Sequence, residues 1–93
     1  MAQYHGCVGI DSAAKSFTAA WSTGGEPWTT PGTFAQNPAG FQQLQQHLST
    51  MDLAPAHMLV VLEATGSSWI SLAVSLHQAG YQVSVVNPAH IHK

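Results

Sequence analysis

Cys7-Val8-Gly9-Ile10-Asp11, followed at once by Ser12-Ala13-Ala14-Lys15, is the stretch around which the chain is organised. A short apolar run bounded by a polar turn fits a strand buried on both faces inside a sheet. It ends on a carboxylate. Burying a carboxylate unpaired costs several kcal/mol or forces its protonation, so an acid at such a strand end calls for a cation, a donor cluster or a metal. The chain has only four acidic residues, and the best companion for Asp11 is Glu63, at the end of a second strong apolar run, Met58-Leu59-Val60-Val61-Leu62-Glu63.

The segments between these runs supply the connections. Ser12 to Lys15 turns into Ser16-Phe17-Thr18-Ala19-Ala20-Trp21, which partly alternates and reads as the second arm of an antiparallel hairpin. The turn Ser22-Thr23-Gly24-Gly25-Glu26-Pro27 leads to a third strand predicted over Trp28 to Phe34, with Trp21 and Trp28 facing each other as a cross-strand aromatic pair. Asn37-Pro38 has N-cap chemistry followed by proline at the first helical position, and Phe41, Leu44 and Leu48 share one face of a helix ending near Ser49. Asp52 to Pro55 connects to the Met58 run. Ser67 or Ser68 then caps a second helix with the stripe Trp69, Leu72, Ala73 and Leu76. Gly80 ends it, and Tyr81 to Val86 forms a fifth strand.

Two hairpin connections followed by two helical crossovers predict an α/β fold with a mixed five-stranded sheet in the order 3-2-1-4-5. Strands one and four are then parallel neighbours about 4.8 Å apart, and Asp11 and Glu63, both at carboxyl ends, enter one small volume. If both crossovers are right-handed, both helices lie on the same face and the other stays bare. The expectation is a C-terminally truncated domain, or one completed by a partner.

Composition narrows the function. Hydrophobic residues make up 45% of the 93 residues and charged ones only 6%, where about 25% charged is usual, so one thin-cored domain is expected. A net charge of -2 with two lysines and no arginine lacks the basic footprint of a nucleic-acid binder. The single Cys7 excludes an internal disulfide or multi-cysteine zinc site and reads as a buried, inert thiol. No run approaches the roughly 18 apolar residues of a membrane span, and there is no signal-peptide pattern, so a soluble cytoplasmic protein without membrane association is expected.

Two converging carboxylates repel unless a cation lies between them, and a hard divalent ion, Mg²⁺ or Mn²⁺, suits oxygen ligands of this kind. Asp52 and Glu26 fall in connectors away from that end of the sheet. Lys15, Thr65 and Gly66 are candidates for a phosphate or DNA contact beside the acids. His90 and His92 have no third ligand nearby and read as exposed tail residues. Ser67 and Ser68 lack the setting of a hydrolase nucleophile. On their own, Asp11 also reads as a cap of the turn to Lys15, and Glu63 as an acid favoured by a helix dipole.

The blocks Gly9-Ile10-Asp11 with Lys15, Asn37-Pro38-Ala39-Gly40-Phe41, Glu63-Ala64-Thr65-Gly66 and Val85-Val86-Asn87-Pro88 resemble, in order and spacing, the N-terminal part of DEDD-type transposases of the insertion-sequence-110 family. The resemblance covers nearly the whole chain. It implies a ribonuclease H-like, RuvC-like fold and four acids binding divalent metal for DNA strand cleavage and transfer in DNA transposition and recombination of a mobile element. Asp11 matches the first acid and Glu63 the second. The segment holding the other two lies, in the family, beyond the Asn-Pro block, as do a coiled coil and a C-terminal domain with a serine nucleophile. Residues 1–93 are accordingly expected to be the N-terminal part of the RuvC-like domain, with half of the acidic site and no activity alone. DNA, a guiding bridge RNA and a second copy of the chain are the partners the resemblance implies. Two other readings are a non-catalytic remnant or interaction module pairing through the bare sheet face, and a fragment of the actin-like ATPase fold. The ATPase reading lacks the Gly-rich phosphate hairpin expected where Ser12-Ala13-Ala14-Lys15 stands.

Overall fold

A computed structural model describes residues 4–23, 28–29, 32–51, 53–64 and 66–86. Its strands are β1 (Gly6–Ser12), β2 (Ser16–Thr23), β3 (Gly32–Ala35), β4 (Met58–Glu63) and β5 (Gln82–Val86), and its helices are α1 (Pro38–Ser49) and α2 (Trp69–Gln78). A single 3-10 turn, Pro55–His57, leads into β4, where only a connector was expected.

The strands form one sheet in the order β3-β2-β1-β4-β5, as expected of the ribonuclease H-like arrangement. β1 pairs antiparallel with β2 and parallel with β4, and β5 lies parallel on the far side of β4. The period of two along each strand divides the sheet into two faces. Val8, Ile10, Phe17, Ala19, Phe34, Met58, Val60 and Leu62 point to one face and form the core with Phe41, Leu44 and Leu48 of α1 and Leu72 and Leu76 of α2. Both helices therefore cover the same face, as right-handed crossovers require. Phe17 anchors one end of this core, stacked on Phe34 at 5.3 Å between ring centroids and tilted against Phe41 at 6.1 Å.

The helix ends follow from local chemistry. Asn37 caps α1, its Oδ1 accepting from the Gly40 amide at 2.9 Å, and Pro38 occupies the first turn, where its missing N–H costs nothing. Gly40 is required by a close approach: a Cβ there would lie 1.8 Å from the Ala35 carbonyl oxygen. Gly80 ends α2 at φ 99°, a left-handed conformation that glycine adopts without steric cost. Ser68 occupies the N-cap position of α2, but its side chain makes no capping bond there.

Three local expectations are corrected. The third strand spans only Gly32–Ala35, and Trp28 and Thr29 lie outside it. Pro31 in that stretch cannot donate to a ladder, and Thr29 pairs with Trp21, donating its N–H to the Trp21 carbonyl at 2.9 Å and accepting from the Trp21 N–H through Oγ1 at 3.0 Å. Trp21 and Trp28 do not form an aromatic pair. Trp21 packs toward the helices, its ring 5.7 Å from that of His47, whereas the Trp28 indole lies against Gly9 on the opposite face. Cys7 is half-buried on that same open face rather than sealed in the core, because the parity of β1 aims it away from α1 and α2.

Candidate metal centre

Parity also decides where the acids go. Ile10 and Ser12 point into the core, so Asp11 between them points to the open face, and Glu63 next to buried Leu62 does the same. The parallel register pairs Asp11 directly with Glu63. Paired residues on adjacent parallel strands share a face about 4.8 Å apart, which brings the two carboxylates to one point at the carboxyl end of the sheet. Both side chains are exposed. Among the described residues neither accepts a hydrogen bond or makes an ion pair. Asp11 therefore does not cap the turn to Lys15, and Glu63, a strand residue, does not belong to the first turn of α2, which contains no acid.

Two depressions adjoin Asp11, and Glu63 lines the first of them. One, of about 480 Å³, lies on the open face and is lined by Asp11, Glu63 and the small or apolar residues Gly9, Thr18, Ala20 and Val61. The other, of about 590 Å³, lies between the β1–β2 turn (Asp11, Ser12, Ala13) and the chain entering α2 (Gly66, Ser67, Ser68). Asp11 lines both. Lys15 is exposed in the same turn and makes no ion pair among the described residues. The Gly66 carbonyl accepts from Trp69 Nε1 at 2.9 Å, which orients the turn before α2. Thr65, Glu26, Asp52, His90 and His92 lie outside the described residues.

Two exposed, unpaired carboxylates at matched register suit a hard cation that keeps part of its water shell. They do not make a closed site, because among the described residues no group of three or more His, Cys, Asp or Glu converges. Such an open pair suits a cation shared with further acids or with substrate oxygens.

A family model described as a transposase, of the DEDD insertion-sequence-110 type, matches residues 8–93. This chain belongs to that transposase family. The transposase-family chain is 33% identical over 85 residues to the pilin gene-inverting protein of Moraxella lacunata and 32% identical over 85 residues to that of Moraxella bovis. Each match covers 91% of this chain and 26% of the relative, so the chain spans about a quarter of the length of these curated relatives. Among solved structures, an exopolyphosphatase from Cytophaga hutchinsonii superimposes with a TM-score of 0.45 at 11% identity, over 90% of this chain and 35% of the other.

Sequence reasoning on the transposase-family chain missed the residues that hold the acid-bearing turn. Gln36, just past β3, donates through Nε2 to Ser12 Oγ at 2.7 Å and to the Ala13 carbonyl at 2.9 Å, and its backbone N–H donates to the Lys15 carbonyl at 3.1 Å. Ser68 donates to the same Ala13 carbonyl at 3.2 Å, which is why it does not cap α2. No periodicity marks a glutamine between a strand and a helix cap. The signal available was topological: β3 runs parallel to β1, so its carboxyl end delivers Gln36 to the edge where Asp11 emerges.

Proposed function

We propose that this chain contributes Asp11 and Glu63 as two ligands of a divalent-metal site for DNA strand cleavage and transfer, and that residues 1–93 are the N-terminal part of a RuvC-like DEDD domain. The observation that carries this reading is the pairing of Asp11 with Glu63 across parallel β1 and β4, their side chains exposed and free of hydrogen-bonding partners among the described residues. Family membership supports a recombination reaction. The relatives' name, which speaks of inverting a gene, supports DNA as the substrate.

In this reading Mg²⁺ or Mn²⁺, when bound, supplies Lewis-acid polarisation and charge neutralisation at a phosphodiester. Asp11 and Glu63 hold it in place. Lys15 and the backbone around Gly66 approach a phosphate on the α2 side of Asp11, and Thr65 is proposed for the same role. With net charge -2, the 93 residues offer DNA little backbone affinity, so DNA binding, the bridge RNA and assembly with further copies fall to the rest of a longer protein working in the cytoplasm. Cleavage by these residues alone is expected to be undetectable.

Calorimetric titration with Mn²⁺ tests the site. Weak binding lost in both Asp11→Asn and Glu63→Gln is the expected outcome, and binding that survives both substitutions overturns it. Removing one of two repelling charges also predicts that Asp11→Ala unfolds no earlier than the parent chain in chelator, where a capping role requires it to unfold earlier. The open sheet face supports a second reading, a non-catalytic module that pairs through that face. A monomer at high concentration in sedimentation would weigh against it.

A further inference from the structure

We infer that Gln36 is a positioning residue for Asp11, acting as a clamp on the β1–β2 turn. The inference rests on the reading of Asp11 and Glu63 as metal ligands. Asp11 itself is held by ladder bonds on both sides, and β1 ends one residue later at Ser12, which pairs with β2 but not with β4. Across Ser12 to Lys15, three of the bonds that hold the turn come from Gln36, two from Nε2 and one from the backbone N–H, and they reach Ser12, Ala13 and Lys15. Only Ala13, whose N–H donates to the Ser16 carbonyl at 2.8 Å, closes the turn from within.

The orientation of the Gln36 amide follows from its neighbours. Exchanging Nε2 and Oε1 would set two oxygens 2.9 Å apart at the Ala13 carbonyl, so the nitrogen must face the turn. That leaves Oε1 buried without a hydrogen bond among the described residues, a destabilising arrangement accepted so that Nε2 can bridge Ser12 and Ala13. Ser12 is 2% exposed, so its hydroxyl has no open water to turn to if the amide is removed. The Ala13 carbonyl also accepts from Ser68, which ties the turn to the start of α2. Gln36 thus sets the position of the turn relative to β3 and α1, and Ser68 sets it relative to α2. Asp11 precedes Ser12, the last residue of β1 and the one whose hydroxyl Gln36 holds, so the direction of the Asp11 side chain depends on where Ser12 and the turn are fixed.

Gln36→Met keeps the side-chain length and removes both side-chain donors, and Ser68→Ala removes the other donor to Ala13. Amide hydrogen exchange read by NMR separates local loosening from loss of the fold. The expected result is exchange at Ala13 faster by about tenfold in Gln36→Met and by about threefold in Ser68→Ala, with the Val60 amide in β4 changed by less than about twofold. In parallel, Mn²⁺ is titrated while broadening of the Asp11 and Glu63 amide signals is followed, a readout that detects weak binding. Gln36→Met is expected to need about fivefold more Mn²⁺ for equal broadening. Unchanged Mn²⁺ dependence in Gln36→Met, with broadening abolished in Asp11→Ala, overturns the clamp and leaves the metal site standing. Broadening that persists in Asp11→Ala overturns the metal site itself. If Gln36→Met does not fold, Gln36→Ala, which removes the same donors with a smaller side chain, carries the test, and unaltered exchange at Ala13 in that variant overturns the inference.

Discussion

Alanine in place of Gly40 would drive a methyl group into the strand from which α1 starts. Its Cβ would lie 1.8 Å from the Ala35 carbonyl oxygen, 2.7 Å from the Ala35 carbonyl carbon and 2.9 Å from the Ala35 nitrogen. Ordinary contact begins near 3.4 Å, so the first turn of α1 and the end of β3 must separate by more than 1 Å. All three atoms are backbone and cannot swing away as a side chain would. Overpacking a tight site usually costs about 1–3 kcal/mol, and a clash with backbone belongs at or above the top of that range. Helix propensity pulls the other way, favouring alanine over glycine by about 1 kcal/mol in a helix interior. The clash wins, and a net loss of about 2 kcal/mol is expected. Separation of α1 from β3 also strains the capping bond from Asn37 and displaces Gln36, which lies between Ala35 and Asn37. Urea denaturation of the two chains measures the difference, and a thermal melt should fall by about 8 °C or more in a domain of this size. A Gly40→Ala variant as stable as the parent chain, or more stable, would show that propensity outweighs the close approach and would refute the reasoning.

Other perturbations follow from single contacts. Asn37→Ala removes the cap of α1, with an expected loss of about 1 kcal/mol in urea denaturation, while Asn37→Asp should retain most of it. Tyr81 is buried in the core, and this burial raises its phenol above the ordinary value of 10.0. The folded chain therefore keeps that proton when the unfolded chain has lost it, so stability falls as pH rises above about 10 and is insensitive to this group below it. Tyr81→Phe should flatten the alkaline limb of a stability-against-pH curve, and an unchanged limb would exclude this cause.

Most of the fold was legible because it rests on short-range rules. Asn37-Pro38 is a helix start in any context, since the cap and the missing N–H act within one turn. The runs ending at Asp11 and Glu63 are too apolar to be anything but central strands, and hairpins followed by crossovers leave few ways to order five strands. The adjacency of the two acids came from that same topology. The stretch from Trp28 onward has the aromatic and β-branched composition of a strand but a proline within it, and among the described residues only Gly32–Ala35 joins the sheet, while Trp21 packs on His47 rather than on Trp28.

By itself, then, the sequence determined the strand and helix order, the N-cap of α1 and the convergence of Asp11 with Glu63, because periodicity, capping and connection rules act locally or on whole elements. Tertiary structure alone decided what steadies that convergence. Gln36 meets Ser12 and Ala13 across more than 20 positions of chain, and Ser68 meets Ala13 across 55. A hydrogen bond or a steric limit between distant residues depends on where whole elements come to rest, and no local pattern of residue types records that position.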